Sequence, residues 1–181
     1  MSVIFFELFK IGIGTSSSHT MGPMNAALQF LLEYEDKLTL EKIASVKTEL
    51  FGSLALTGRG HSTDQAIMMG LELETPRAIK PSNVASRSTI ILANGKLNLL
   101  GRYPVPFIDG KHLVFHKDDK LPHHSNGMRF TALSGDGKVL RSREFYSVGG
   151  GFVIQGDGME DVSLSPEPSH LYPFRSSKEM F

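Results

Sequence analysis

The chain has 181 residues, a length that suits one domain, and 40% of them are hydrophobic, which is enough to form a core. Basic and acidic residues both number 19, so the formal net charge is zero and the basic excess typical of nucleic-acid-binding proteins is excluded. The chain has no cysteine, so a disulfide, a thiolate nucleophile or a cysteine-bound cluster cannot form within it.

We expect a soluble, cytoplasmic protein without a membrane partner. The first residues carry Glu7 within an apolar run and have no basic leader. The longest apolar runs are far shorter than a membrane span.

The first predicted elements are apolar. Residues 3–13 are typical of either a short helical turn or a strand, and periodicity does not separate the two. A helix is predicted from about Gly22, because Pro23 suits a first helical turn. The residues that follow at helical spacing form an apolar stripe of Met24, Ala27, Leu28 and Leu31.

A strand and a second helix come next. Residues 45–56 alternate as in a strand, with Val46, Thr48 and Leu50 on one face. A glycine-rich turn then leads into a helix over about residues 63–72. Ser62 is placed to cap this helix, and Gln65, three residues later, would complete a capping box.

The second half is predicted to be mainly antiparallel sheet after a helix over residues 83–94. Asp-Gly pairs predict one hairpin at Asp109–Gly110 and another around Asp136–Gly137. Tyr146 is predicted to pack within a strand. The glycine run at residues 149–151 indicates a hinge or a close approach of another backbone.

Two loops of similar composition precede the two helices of the first half. The first loop has Gly14 followed by "SSSHT" (residues 16–20), and the second is "GRGHST" (residues 58–63). Glycines let a ligand approach the backbone, and N–H groups at a helix start favour an anion. Hydroxyls donate and accept hydrogen bonds, and a histidine can carry a proton near neutral pH. These groups suit a carboxylate or a small hydroxy or amino acid. The alternatives are a flexible linker in the first loop and a capped helix with an exposed His61 in the second.

The sequence offers other candidate sites of similar chemistry. His123, His124 and Asn126 indicate either a polar site or an Asn-Gly turn with incidental histidines. The first loop departs from the glycine pattern of nucleotide-binding loops, and no Gly-Lys-Ser/Thr string occurs. His112 and His116 lack an acidic partner nearby in the sequence, so we predict no metal site in this chain.

Five strings in the sequence closely resemble, in order, the beta-type region of bacterial iron–sulfur L-serine dehydratases (L-serine ammonia-lyases). They are "IGIGTSSSHTMGPM", "LFGSLALTGRGHSTDQAIMMGL", "HSNGMRF", "FYSVGGGF" and "YPF". The resemblance covers nearly the whole chain, is weakest over about residues 76–120, and is highly specific in the serine–histidine string. Thr15 stands where the family usually has proline, which changes the stiffness of the loop but leaves its polar residues in place. Ser125 occupies a position that varies.

The resemblance implies conversion of L-serine to pyruvate and ammonia, within amino-acid metabolism and gluconeogenesis. In such enzymes a 4Fe–4S cluster acts as a Lewis acid on the serine hydroxyl while a base removes the α-proton. The cluster cysteines belong to a separate alpha-type catalytic region. Residues 1–160 would form the beta-type domain and residues 161–181 the start of a linker toward that region, so this chain alone is expected to be inactive.

The beta-type region is also similar to the allosteric substrate-binding domain of some D-3-phosphoglycerate dehydrogenases. That likeness implies an α+β fold, with a mixed sheet flanked by helices. We expect the partners to be L-serine, the catalytic region and a second copy of the protein, since homodimers are the commonest soluble assembly.

The matched motifs also imply a set of site residues, which we expect to face the cleft of the catalytic region. The catalytic candidates are His19, His61 and His124; the substrate-binding candidates are Ser17, Ser18, Thr20, Thr63, Asp64 and Asn126. Asp64 is expected to orient a neighbouring histidine or to close the helix start, and the base is left unassigned. The alternatives are a regulatory module that binds serine without joining the chemistry, and a scaffold that only dimerises the enzyme.

Overall fold

The computed structural model describes residues 16–35 and 40–156, so Gly14, the element predicted over residues 3–13 and the linker predicted over 161–181 lie outside the described residues. Within those ranges the helices are α1 (Gly22–Glu35), α2 (Gly52–Thr57), α3 (Thr63–Leu71) and α4 (Pro81–Asn94). The strands are β1 (Ser45–Phe51), β2 (Lys96–Leu99), β3 (Tyr103–Pro106), β4 (Leu113–His116), β5 (Gly127–Leu133), β6 (Val139–Gly149) and β7 (Phe152–Gln155).

The main sheet has five strands in the order β4-β1-β5-β6-β7. β1 runs parallel to β4, whereas the β1–β5, β5–β6 and β6–β7 pairs are antiparallel. β2 and β3 form a separate antiparallel pair. The mixed sheet flanked by helices confirms the predicted α+β fold.

The core lies between the sheet and its helices. Val46, Thr48 and Leu50 are buried on one face of β1, as the alternation predicted. α1 packs against β5, β6, β7 and α3, and the Phe30 ring stacks on Phe130 at 5.5 Å between ring centroids. Tyr146 is fully buried, as predicted. Burial and a hydrogen bond to Glu144 raise the pKa of its phenol to about 12. Across the described part of the chain, no helix combines the length and apolar character needed to cross a membrane.

Two local predictions in the first half were wrong. β1 ends at Phe51 rather than Leu56, because Gly52 takes a left-handed conformation (φ 55°) and the chain turns into α2. Ser62 makes no capping bond through its side chain. Its backbone is also left-handed (φ 58°), and its N–H bonds back to the preceding turn, so the predicted capping box with Gln65 does not form.

The two hairpin predictions had opposite outcomes. The hairpin around Asp136–Gly137 is confirmed, since β5 and β6 are antiparallel partners on either side of it. The hairpin at Asp109–Gly110 was wrong, because β3 pairs with β2 and β4 pairs with β1. Backbone bonds from Lys111 and His112 to the Ile108 carbonyl turn the chain there from the small sheet into the main one. The predicted helix over residues 83–94 is confirmed as α4.

Candidate functional site

The first loop forms a helical turn and is not a flexible linker. A π-helical turn, Ser17–Met21, precedes α1, and its backbone buries His19 and Thr20, which are 9% and 0% exposed. The Thr20 hydroxyl donates a hydrogen bond to the Ser16 carbonyl, and this bond stabilises the turn. π-helical turns often occur at functional sites, because the extra residue redirects the side chains of the turn.

His19 lies at the centre of the first loop. Its Nδ1 is 3.0 Å from the Ser18 hydroxyl, and its Nε2 is 3.1 Å from the hydroxyl of Ser53 at the start of α2. Burial lowers the pKa of the His19 imidazole and the adjacent His61 lowers it further, against an opposing effect of the Ser53 backbone. His19 is therefore a neutral imidazole at pH 7, able to exchange a proton or hydrogen bonds at both nitrogens.

The second loop places His61 beside His19. A 3-10 turn over Gly58–His61 and the left-handed Ser62 bring the two imidazole centroids to 5.0 Å at an angle of 58°. Thr63 bonds the two loops, because its hydroxyl donates to the His19 carbonyl. Among the described residues the buried Nδ1 of His61 has no hydrogen-bond partner. A buried nitrogen without a partner is unfavourable, which makes it a candidate contact for a ligand.

Asp64 contacts the backbone at the start of α3 rather than a histidine. Its Oδ1 accepts a hydrogen bond from the Gln65 N–H, and its Oδ2 lies 3.5 Å from Nη1 of Arg59. Burial raises the pKa of its carboxyl group. These contacts fit the expectation that Asp64 closes the helix start. Arg59 also binds Asp109 through two bonds of 2.8 and 2.9 Å, which anchors the second loop to the chain before β4.

A third loop, before β5, carries His123, His124 and Asn126. Asn126 packs into the sheet. Its side-chain amide donates to the Ser147 carbonyl at 3.1 Å, and its own carbonyl accepts from the Ser147 N–H. The Asn126 backbone N–H donates to Nδ1 of His124. In residues 16–35 and 40–156 no hydrogen bond or ring contact joins His124 to His19 or His61.

Ser53 joins the first and third loops, and the sequence did not single it out. Besides the bond to His19, its backbone N–H donates to the Ser125 carbonyl at 2.8 Å. Residues 52–56 were predicted as strand, in which Ser53 would not begin a helix. Recognising Gly52 as a break in that strand would have located it.

The glycine run after β6 approaches the first loop closely, as predicted. Gly149, Gly150 and Gly151 all have positive φ. The Gly150 N–H donates to the Ser17 hydroxyl at 3.2 Å, and a Cβ on Gly151 would lie 3.2 Å from Met21. Ser17 is therefore held by the turn between β6 and β7.

The site does not fit an iron–sulfur cluster. Such clusters are held by cysteine thiolates, and the chain has none. Over the described residues no group of three histidine, aspartate or glutamate side chains is arranged to hold a metal ion.

Residues 4–158 match the family model of the serine dehydratase beta chain. The chain belongs to this family. It is 39% identical over 181 residues to the L-serine dehydratase of Streptomyces coelicolor, 40% over 176 residues to L-serine dehydratase TdcG of Escherichia coli, and 44% over 180 residues to that of Mycobacterium bovis.

These matches cover 97–99% of this chain but only 38–40% of the three relatives. The chain therefore spans about two fifths of the length of the curated relatives it matches. The three loops and the histidine pair therefore lie within the matched beta-chain region, and most of the relatives' length lies outside the match.

Proposed function

We propose that this chain is the beta-type part of an L-serine dehydratase and contributes its three loops to an active-site cleft completed by a separate catalytic region. The observation that carries the proposal is the double contact of Ser53, which bonds His19 through its hydroxyl and Ser125 through its N–H. These contacts join the first and third loops, and the second loop joins the first through the His19–His61 ring contact and the Thr63 hydroxyl. The names of the relatives supply the substrate, L-serine.

The reaction converts L-serine to pyruvate and ammonia: the substrate loses its α-proton and its β-hydroxyl as water, and hydrolysis of the resulting imine releases ammonia. Side chains that exchange protons near pH 7 are required for both stages. His19, kept neutral by burial, is suited to accept a proton, with Ser18 and Ser53 holding its ring. The unpartnered Nδ1 of His61 is suited to bind or orient the substrate.

The remaining parts of the proposal concern the rest of the enzyme. The 4Fe–4S cluster belongs to the cysteine-bearing catalytic region, residues 161–181 begin a linker toward it, and this chain alone is inactive. We assign the assembled enzyme to the cytoplasm as a homodimer.

The test uses His61→Ala and His124→Ala in the chain combined with its catalytic region. Pyruvate formation is followed at varied L-serine concentration. We expect kcat to fall on the order of 100-fold in each variant, as is typical when a group that orients the substrate or exchanges a proton is lost. His123→Ala is the matched control, because His123 is exposed and touches the edge of Tyr146 instead of the cluster.

Unchanged kcat and KM in both variants would contradict the proposal. A change confined to cooperativity or activation, with the chemical step intact, would instead identify the chain as a regulatory module.

A further inference from the structure

The backbone around Ser53 is held in one conformation by its neighbours. It follows Gly52, whose positive φ ends β1, and a Cβ on Gly52 would lie 2.4 Å from the Ser125 carbonyl oxygen. The Gly52 N–H donates to the Asp119 carbonyl at 2.9 Å, and the Ser53 N–H donates to Ser125 at 2.8 Å. Two consecutive amides thus fix the backbone of this turn against the segment that carries the third loop.

The Ser53 hydroxyl completes a chain of hydroxyl–imidazole contacts. The Ser16 and Ser18 hydroxyls lie 3.4 and 3.0 Å from Nδ1 of His19, and Ser53 is 3.1 Å from Nε2. Because a hydroxyl both donates and accepts, Ser53 can satisfy Nε2 whether or not that nitrogen carries the proton. The His19 ring is thereby held at both nitrogens in either tautomer.

We propose that Ser53 is a positioning residue of the site: its hydroxyl orients His19 while its backbone N–H holds the third loop, so that the histidines of different loops keep one arrangement. This inference rests on the proposed function. It adds a residue that acts through His19 rather than on the substrate.

The first test is independent of activity. His19 is titrated by NMR in this chain, as wild type, Ser53→Ala and Ser142→Ala. Ser142 is the matched control, an exposed serine whose hydroxyl bonds Thr131 on the outer sheet face. The Ser53 hydroxyl lies 3.1 Å from Nε2 and can accept a hydrogen bond from the charged imidazolium, so its loss should move the His19 titration to lower pH. Ser142→Ala should titrate like wild type.

The second test measures pyruvate formation with the catalytic region present. Ser53→Ala should lower kcat on the order of 10- to 100-fold, as expected for a misplaced catalytic group, while KM changes much less. If His19 acts as a base, the acidic limb of the kcat/KM profile should move in the same direction as the NMR titration.

The outcomes separate this inference from the proposed function. If His61→Ala and His124→Ala lower kcat while Ser53→Ala matches Ser142→Ala in titration, kcat and pH profile, Ser53 has no positioning role and the proposed function stands. If both histidine variants keep the wild-type kcat and KM but Ser53→Ala still moves the His19 titration, then Ser53 positions His19 and the proposed function fails.

If Ser53→Ala does not fold, Ser53→Cys serves as the second variant. Ser53→Cys is nearly isosteric but replaces the hydroxyl with a thiol, a weak hydrogen-bonding group. It should show the same shifted titration and lowered kcat, and wild-type values would overturn the inference.

Discussion

Gly22 and Ser147 meet where α1 begins against β6. A Cβ on Gly22 would lie 2.0 Å from the Ser147 hydroxyl oxygen and 2.8 Å from its Cβ. The hydroxyl itself is fully buried and has no hydrogen-bond partner within the described residues. The contact therefore depends on the absence of a side chain at Gly22 rather than on a bond made by Ser147.

Gly22→Ala should lower the free energy of unfolding by about 1–3 kcal/mol, because the new methyl group must displace Ser147 from a packed position. Ser147→Ala alone should change it little or raise it by up to about 1 kcal/mol, since it removes an unsatisfied buried hydroxyl. Urea unfolding of the single and double variants measures both effects. The double variant should lose less than the sum of the single variants, and strict additivity would show that the two side chains do not compete for the same space.

At the site, the sequence identified the histidines but not Ser53, which bonds His19 and the backbone of the third loop. His19, His61 and His124 are conspicuous because histidine is a common proton-exchanging residue in active sites. Ser53 is one serine among many, and its role depends on Gly52 turning the chain so that the hydroxyl meets a ring 34 positions earlier in the sequence. Such a contact is set by tertiary structure and has no local pattern.

The crossing of α1 and α3 depends on Gly70. A Cβ at Gly70 would lie 2.2 Å from the Met24 carbonyl oxygen and 3.0 Å from the Ala27 methyl carbon. Because the nearest atom belongs to the backbone, it cannot move aside by changing a rotamer.

Gly70→Ala should therefore force the helices apart and destabilise the fold by about 1–3 kcal/mol, despite the better helix propensity of alanine. Thermal unfolding followed by circular dichroism measures the change. Gly135→Ala is the matched control, because a Cβ there would meet no atom within 4 Å. Equal melting temperatures for Gly70→Ala and wild type would show that the two helices adjust freely.

Elements with strong local patterns were predicted well. The stripe of α1 and the alternation of β1 each place apolar side chains on one face, and Met24, Leu31 and Leu50 are fully buried. The hairpin at Asp109–Gly110 failed although its turn residues are typical of hairpins. Local turn chemistry does not specify which strands pair. β4 pairs in parallel with β1, which lies more than 60 positions away in the sequence.

At the scale of the molecule, two grooves among the described residues lie apart from the histidine pair. A groove of about 510 Å³ is lined by Glu72, Arg87 and residues of α4, and one of about 540 Å³ lies beside His112 and the β5–β6 turn. Neither groove is lined by His19 or His61. This separation accords with the proposal that a second region supplies the remaining wall around the histidine pair.

Two buried histidines should make the whole fold sensitive to acid. Burial lowers the pKa of His19 and of His112, in the first case with help from His61 and in the second from Lys111. An unfolded histidine titrates near 6.5, so below that pH the unfolded chain binds more protons than the folded chain. The free energy of unfolding should consequently fall as the pH drops from about 7.5 toward the folded pKa values.

Urea unfolding of this chain at pH 7.5 and at pH 5.5, on either side of the ordinary histidine pKa of about 6.5, measures the effect. His112→Asn should reduce the difference between the two pH values, because asparagine does not titrate and can still accept the hydrogen bond that Nδ1 of His112 receives from the Ile108 N–H. The substitution also changes the stability at both pH values, so the comparison depends on the difference between them. The exposed His123→Asn should keep the wild-type difference. If His112→Asn keeps it as well, then His112 is protonated as easily in the folded chain as in the unfolded one.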